Sequence, residues 1–282
     1  MKQFAGLVFS CLLSLQALAT EEVLPVRLPS GVAPTAYGHA LVKRSKALID
    51  ELQNALRELE YLADPEAGEV RLAAMETLHA GVVAAAVQLQ LERHPRMRFF
   101  LESGQSPELL SHFLPQRLVD VVVARPLALP LQGDLEGEAL FHDQLRVAVS
   151  PSHPLARRRK VTLADLMDEP WILSRNEVMP GTPVTAALAA AGLPMPRRVV
   201  VAGSLNMRQN VLARGRFVTC VPHSLLPFAH IRGNFHILPI DLPLWPTPTM
   251  IIQLRGRTLG GATEAFLDTL RELARPLNIG VP

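Results

Sequence analysis

The positions Leu41, Ser45, Leu48, Leu52, Ala55, Leu59 and Leu62 follow one another in alternating steps of four and three. That spacing is the seam of a coiled coil, and it predicts one uninterrupted helix over residues 35–62. At ~1.5 Å per residue this helix is roughly 40 Å long, more than a small domain needs for its own core. Pro29, Gly31, Pro34 and Gly38 keep the preceding stretch out of helix until about Thr35. Asp64-Pro65 ends the helix, because a proline disfavours helix in the residue before it. Gly68 then leads into a strand. The seam calls for a partner helix, most simply the same helix of a second copy; packing on its own domain fits the same periodicity.

Beyond Gly68 the pattern alternates between strand and helix. Expected strands are residues 69–75, 96–102 and 119–124, with helices over 79–93 and from Ser106 to about Phe113. The run Val119-Asp120-Val121-Val122-Val123-Ala124 is β-branched and continuous, as in a parallel strand covered on both faces. A second βα series follows, with strands at 145–149, 171–173, 197–201 and 215–222. Helices are expected over 182–191 and 204–214, then strands at 235–240 and 248–254 and a closing amphipathic helix at 263–274. The fold class is therefore α/β in two lobes, each binding ligands at the carboxyl ends of its strands. Lobe I spans about 67–147 and 255–282, and lobe II about 148–254, with the chain crossing between them twice.

Composition changes little. Of 282 residues, 49% are hydrophobic and 19% charged, enough apolar material for about two domains. A formal charge of +2 makes no electrostatic case for nucleic acid or membrane. Arg157-Arg158-Arg159-Lys160 reads more readily as a solvated loop than as a DNA patch. Cys11 and Cys220 are too few for a disulfide framework, and no Cys/His cluster has zinc spacing; neither a metal nor a cofactor is expected. Residues 1–26 stand apart. Lys2, the apolar run Phe4–Leu15 and Ala17-Leu18-Ala19 have the form of an export signal, or mark a disrupted gene start. Histidines such as His79, His94, His112 and His153 are scattered, His223-Ser224 is a lone pair, and no nucleophile elbow or phosphate loop occurs. No enzyme is indicated.

Taken together, these segments resemble the LysR-type bacterial transcription regulators. The likeness is carried by Pro29-Ser30-Gly31-Val32 with Pro34-Thr35-Ala36-Tyr37-Gly38, the long helix, and Gly68-Glu69-Val70-Arg71-Leu72. It continues through Leu118–Val123, Ser152-His153-Pro154-Leu155-Ala156, Leu163-Ala164-Asp165-Leu166, Trp171-Ile172 and Val211-Leu212-Ala213-Arg214-Gly215. The resemblance covers about residues 27–276. It implies a wing remnant and linker helix over 27–66, then a two-lobed, periplasmic-binding-protein-like (type II) effector domain over 67–282. It further implies a small-molecule effector between the lobes and linker helices that pair subunits into a dimer or tetramer. Leu41, Leu48, Leu52, Ala55, Leu59 and Leu62 are the dimerisation residues. Family members begin with a winged helix-turn-helix, whereas only 26 residues precede Arg27 here and none forms a basic recognition helix. DNA contact would then depend on a missing or partner-supplied reader. A cytoplasmic regulator is the expectation; an exported, periplasmic solute-binding protein is the alternative that residues 1–19 favour.

The resemblance places the effector at the strand ends. Met75, Glu76 and Thr77 follow the first strand, Ser103, Gly104 and Gln105 the second, and Arg125 the third. From lobe II, Thr182 and Ser204 open helices, and Phe217 and Val218 offer an apolar wall. Hydroxyls and backbone N–H groups at helix starts suit an anion, and Arg125 suits the carboxylate of an organic acid. Glu76 points the other way, since it repels an anion or asks for a ligand carrying a donor. Each hydroxyl also has a plain role as a helix cap.

Overall fold

The computed structural model describes residues 26–28, 31–33, 35–228 and 233–279. The export-signal pattern therefore lies outside the described residues. Residues up to Ala55 and residues from Leu56 onward form two units. In the first, β1 (Val26–Leu28) pairs antiparallel with β2 (Gly31–Ala33), and helix α1 (Ala36–Ala63, 28 residues) begins.

The second unit holds two five-stranded sheets. The first runs β4-β3-β5-β12-β6, from β3 (Glu69–Ala74), β4 (Arg98–Ser103), β5 (Val121–Ala124), β6 (Leu135–Phe141) and β12 (Thr249–Leu254). β4, β3 and β5 are parallel, while β12 runs antiparallel to β5 and β6. The second sheet runs β11-β7-β10-β8-β9, from β7 (Gln144–Val149), β8 (Trp171–Leu173), β9 (Val199–Val201), β10 (Val218–Pro222) and β11 (His236–Leu244). Here β10, β8 and β9 are parallel and β7 is antiparallel to its neighbours.

The central strands of both sheets are covered on both faces, which is why they read as unbroken apolar runs. In β5, Val121 and Val123 join the core under helices α2 (Ala84–Arg93) and α5 (Gly261–Ala274), while Val122 and Ala124 enter the core on the opposite face. The second sheet alternates likewise: Val147, Leu173 and Cys220 face one core, and Ala148, Ile172 and Val221 the other. A strand of period two can bury every side chain only when both faces are roofed.

Two boundaries differ from the pattern-based ones. The whole of β7 belongs to the second sheet, so the first crossing lies at His142-Asp143 rather than near residue 147. β12 belongs to the first sheet, so the chain has returned by Thr249 rather than at residue 255. Strand β6 was not expected at all. It is an edge strand whose Glu138 pairs with Arg271 of α5, and Gly137 lies so close to its neighbour that an added Cβ would stand 2.6 Å from the Ile251 carbonyl oxygen.

The end of α1 is fixed by one face. Arg57 pairs with Asp120 at 3.5 Å, Glu58 Oε2 accepts the Gly261 N–H at 2.6 Å, and Tyr61 packs into the first core. The seam positions are on another side: Leu48 is 72% exposed, Leu59 63% and Leu62 67%, with Leu41, Leu52 and Ala55 exposed as well. Among the described residues these leucines join no core cluster. Among the described residues no helix is long and apolar enough to cross a membrane.

Candidate functional site

A cavity of about 150 Å³ opens at the carboxyl ends of the parallel strands of both sheets. From the first sheet it is lined by Met75, Glu76, Thr77, Gln105 and Arg125. These follow β3, β4 and β5, whose parallel course brings three strand ends to one edge. The second sheet contributes Ser174, Asn176 and Glu177 after β8, Pro222 closing β10, Thr182 ahead of α3 (Pro183–Ala190), and Arg208 from α4 (Leu205–Arg214). Trp245, Pro246 and Thr247, in the second crossing, form part of the lining. Met75, Leu127, Leu145, Met179 and Trp245 supply its apolar walls.

Six of the expected residues thus meet here: Met75, Glu76, Thr77, Gln105, Arg125 and Thr182. Five do not line the cavity. Ser103 ends β4 on its exposed edge, and Gly104 makes a turn in which an added Cβ would meet Leu109 at 2.8 Å. Ser204 accepts the Met207 N–H at 3.2 Å and is a helix cap. Phe217 and Val218 stand at the amino end of β10, the wrong end of a strand parallel to β8; Val218 is fully buried in the second core. Thr182, although in the lining, donates its hydroxyl to the carbonyls of Glu177 and Met179, at 3.0 and 2.8 Å, so that hydroxyl is spent on local structure.

Arg125 is 8% exposed. It donates through Nη2 to Asp143 Oδ2 and to Thr249 Oγ1, both at 3.4 Å, and its guanidinium lies 4.8 Å over the Trp245 ring. Burial pulls its pKa down, while Asp143 and then Glu177 push it up; a guanidinium so placed stays charged. Two buried donors on these residues, Arg125 Nε and Trp245 Nε1, find no acceptor among the described residues. Asp143, in the first crossing, accepts the Ser224 N–H at 3.1 Å and its hydroxyl at 2.6 Å. The Ser224 hydroxyl is thereby tied to a carboxylate rather than set against His223.

Arg208 is buried too and makes tighter use of its donors. Nη1 reaches Glu177 Oε1 at 3.2 Å and the Cys220 carbonyl at 3.1 Å, and Nε reaches the Ala202 carbonyl at 3.3 Å. Glu177 Oε2 in turn accepts the Ser174 N–H at 2.6 Å. The pair closes the loop after β8. Cys220 is enclosed beside it, and burial pushes its thiol well above the usual range, which keeps it protonated and unreactive.

Glu76 joins the two halves of the site. Its Oε2 accepts the Leu205 N–H at 2.8 Å, so a side chain following a first-sheet strand caps a second-sheet helix. Gln105 bridges the same gap: an added Cβ on Gly203 would stand 2.9 Å from its Nε2. Among the described residues no group of three or more His, Cys, Asp or Glu is placed to hold a metal ion.

A two-lobed α/β domain with a small, mostly apolar cavity at the strand ends and a few convergent polar groups is a ligand-binding domain of the periplasmic-binding-protein type. Residues 63–275 match the LysR substrate binding domain. The chain belongs to that family of transcriptional regulators. The HTH-type transcriptional regulator GbpR of Azospirillum brasilense is 25% identical over 245 residues, 86% of this chain and 70% of that protein. The transcriptional dual regulator GltC of Bacillus subtilis is 24% identical, over 83% of this chain and 77% of that one. Among solved structures, a full-length OxyR variant from Pseudomonas aeruginosa superposes with a TM-score of 0.58 at 19% identity, covering 89% of this chain and 80% of that one. The BenM effector binding domain with its effector benzoate gives 0.53 at 21% identity, covering 76% and 95%. These relatives are transcriptional regulators, not periplasmic solute-binding proteins.

Proposed function

We propose that this chain senses a small carboxylate-bearing metabolite in the cavity between its sheets and passes the occupancy on as a change in lobe closure. The observation that carries this is the pair of buried, unsatisfied donors, Arg125 Nε and Trp245 Nε1, on two residues that line one cavity. An orphaned buried donor costs about 1–3 kcal/mol, a cost that a ligand oxygen would remove if lobe closure brought it within reach of these enclosed atoms. The benzoate bound by BenM is a carboxylate, which supports the same chemistry. Closure would act through Glu76 and Gln105, which reach from one lobe to the other, as a population shift between open and closed forms.

The role is sensing rather than catalysis, in keeping with relatives named as regulators, and its place is the cytoplasm, where such regulators meet DNA. The exposed leucines of α1 support a homodimer paired through Leu41, Leu48, Leu52, Leu59 and Leu62, with Ala55 on the same seam. A monomer by light scattering at micromolar concentration contradicts the pairing. Binding is tested by thermal-shift screening of small organic acids and amino acids against the protein and against Gln105→Trp, which fills the gap beside Gly203. Stabilisation that the tryptophan abolishes supports the cavity. Stabilisation that survives it places the ligand elsewhere and defeats the reading.

A further inference from the structure

The charged groups around this cavity do not describe a simple anion site. Two arginines, Arg125 and Arg208, face three carboxylates, Glu76, Glu177 and Asp143. Arg208 and Glu177 neutralise each other, and Asp143 offsets Arg125. Glu76 is the remaining charge. It sits on the amino end of α4, where an incoming carboxylate would otherwise dock, and it spends Oε2 on the Leu205 N–H. A bare acid bound at Arg125 would add a second negative charge to a partly buried site, and uncompensated charge in such a place is costly.

We propose that the ligand is a small zwitterion of the α-amino-acid type, its carboxylate held by Arg125 and Trp245 and its ammonium by Glu76. The inference rests on the cavity reading above. Arg125 Nε and Trp245 Nε1 supply donors that lack an acceptor among the described residues; Glu76 supplies a carboxylate whose Oε2 meets a neutral backbone N–H. A zwitterion satisfies both and leaves the net charge of the site unchanged. The side chain would lie against Met75, Leu127 and Met179, which favours an apolar one. At about 150 Å³ the cavity falls below the 300–1,000 Å³ that drug-sized ligands occupy. Glu76 thus becomes a specificity-determining residue that selects the amino acid over its deaminated counterpart.

The test is calorimetric titration of the full chain with the common amino acids, each alongside the deaminated acid and the decarboxylated amine with the same side chain. At least one amino acid should bind about tenfold or more tighter than either counterpart, the scale of one charge-assisted hydrogen bond. Glu76→Gln keeps an oxygen for the Leu205 N–H and removes only the charge. It should weaken the amino acid about tenfold and tighten the deaminated acid, whose carboxylate then no longer adds to the charge of Glu76. A deaminated acid that binds as tightly as its amino acid overturns the zwitterion while leaving a carboxylate sensor standing. Silence across the whole panel overturns it as well. Binding that Gln105→Trp does not disturb defeats the cavity reading itself, so the two failures are told apart.

Discussion

Arg125 and Arg208 are both buried, both paired with a carboxylate and both in the lining of one cavity, yet their environments differ. Arg208 sends Nη1 to Glu177 and the Cys220 carbonyl and Nε to the Ala202 carbonyl. Arg125 has two long bonds of 3.4 Å and a buried Nε without an acceptor among the described residues. Their partners differ in the opposite sense. Asp143 keeps three further donors, the N–H and hydroxyl of Ser224 and the Gln144 N–H, whereas Glu177 keeps only the Ser174 N–H besides Arg208. One arginine completes the fold; the other is left incomplete by it. A buried ion pair is weak evidence of function on its own, and it is the unfilled valence that separates a ligand group from a structural one.

The largest expected effect comes from breaking the tighter pair. Arg208→Met leaves Glu177 as a nearly uncompensated buried charge and should cost about 3–5 kcal/mol in denaturant unfolding. Adding Glu177→Gln should recover part of the loss, since the stranded charge is then gone. Arg125→Gln should cost less, about 1–3 kcal/mol, because the three donors to Asp143 remain. If Arg125→Gln proves the more damaging change, the contrast is reversed.

The smallest effect is pH dependence, which neither arginine supplies. Burial lowers the pKa of His79 against the pull of the Glu102 carbonyl and of Glu76 and Glu102, and burial also lowers that of His153 despite Glu169. Both folded histidines therefore bind protons more weakly than in the unfolded chain, whose value is about 6.5. As pH falls below about 6.5 the unfolded state takes up protons first. Stability is full above that value and declines as pH falls through the lower folded pKa values. Denaturant midpoints measured from neutral to mildly acid pH should fall steadily, and a rise on acidification would contradict these assignments.

Much of the frame was legible because burial on two faces writes itself as β-branched runs, as in Val121-Val122-Val123. β6 escaped because an edge strand with Glu136, Gly137 and Glu138 in its middle has neither the alternation nor the composition of a buried one. The first-sheet half of the site was legible for a topological reason: parallel strands deliver their ends to one edge, so Met75, Glu76, Thr77, Gln105 and Arg125 could be read from strand ends alone. The second-sheet half was largely missed. Ser204 is a cap, and Phe217 and Val218 stand at the amino end of their strand. Arg208 carried a usable signal, for it shares a helical face with the buried Leu205 and Leu212 at steps of three and four. A charge on an apolar stripe needs a buried partner. Trp245, set between Pro243 and Pro246, was also visible, but nothing local reports that it lies under Arg125. Glu177 gave no signal, because its burial depends on contacts with residues distant in sequence.

The most direct measurement is calorimetric titration of Arg125→Gln and the unaltered protein with the tightest carboxylate-bearing ligand of the amino-acid panel. With folding verified by circular dichroism, Arg125→Gln should bind about tenfold or more weakly, the share of a charge-assisted contact. Equal affinity in a folded Arg125→Gln protein would contradict the claim that Arg125 is the cation this cavity offers to its ligand.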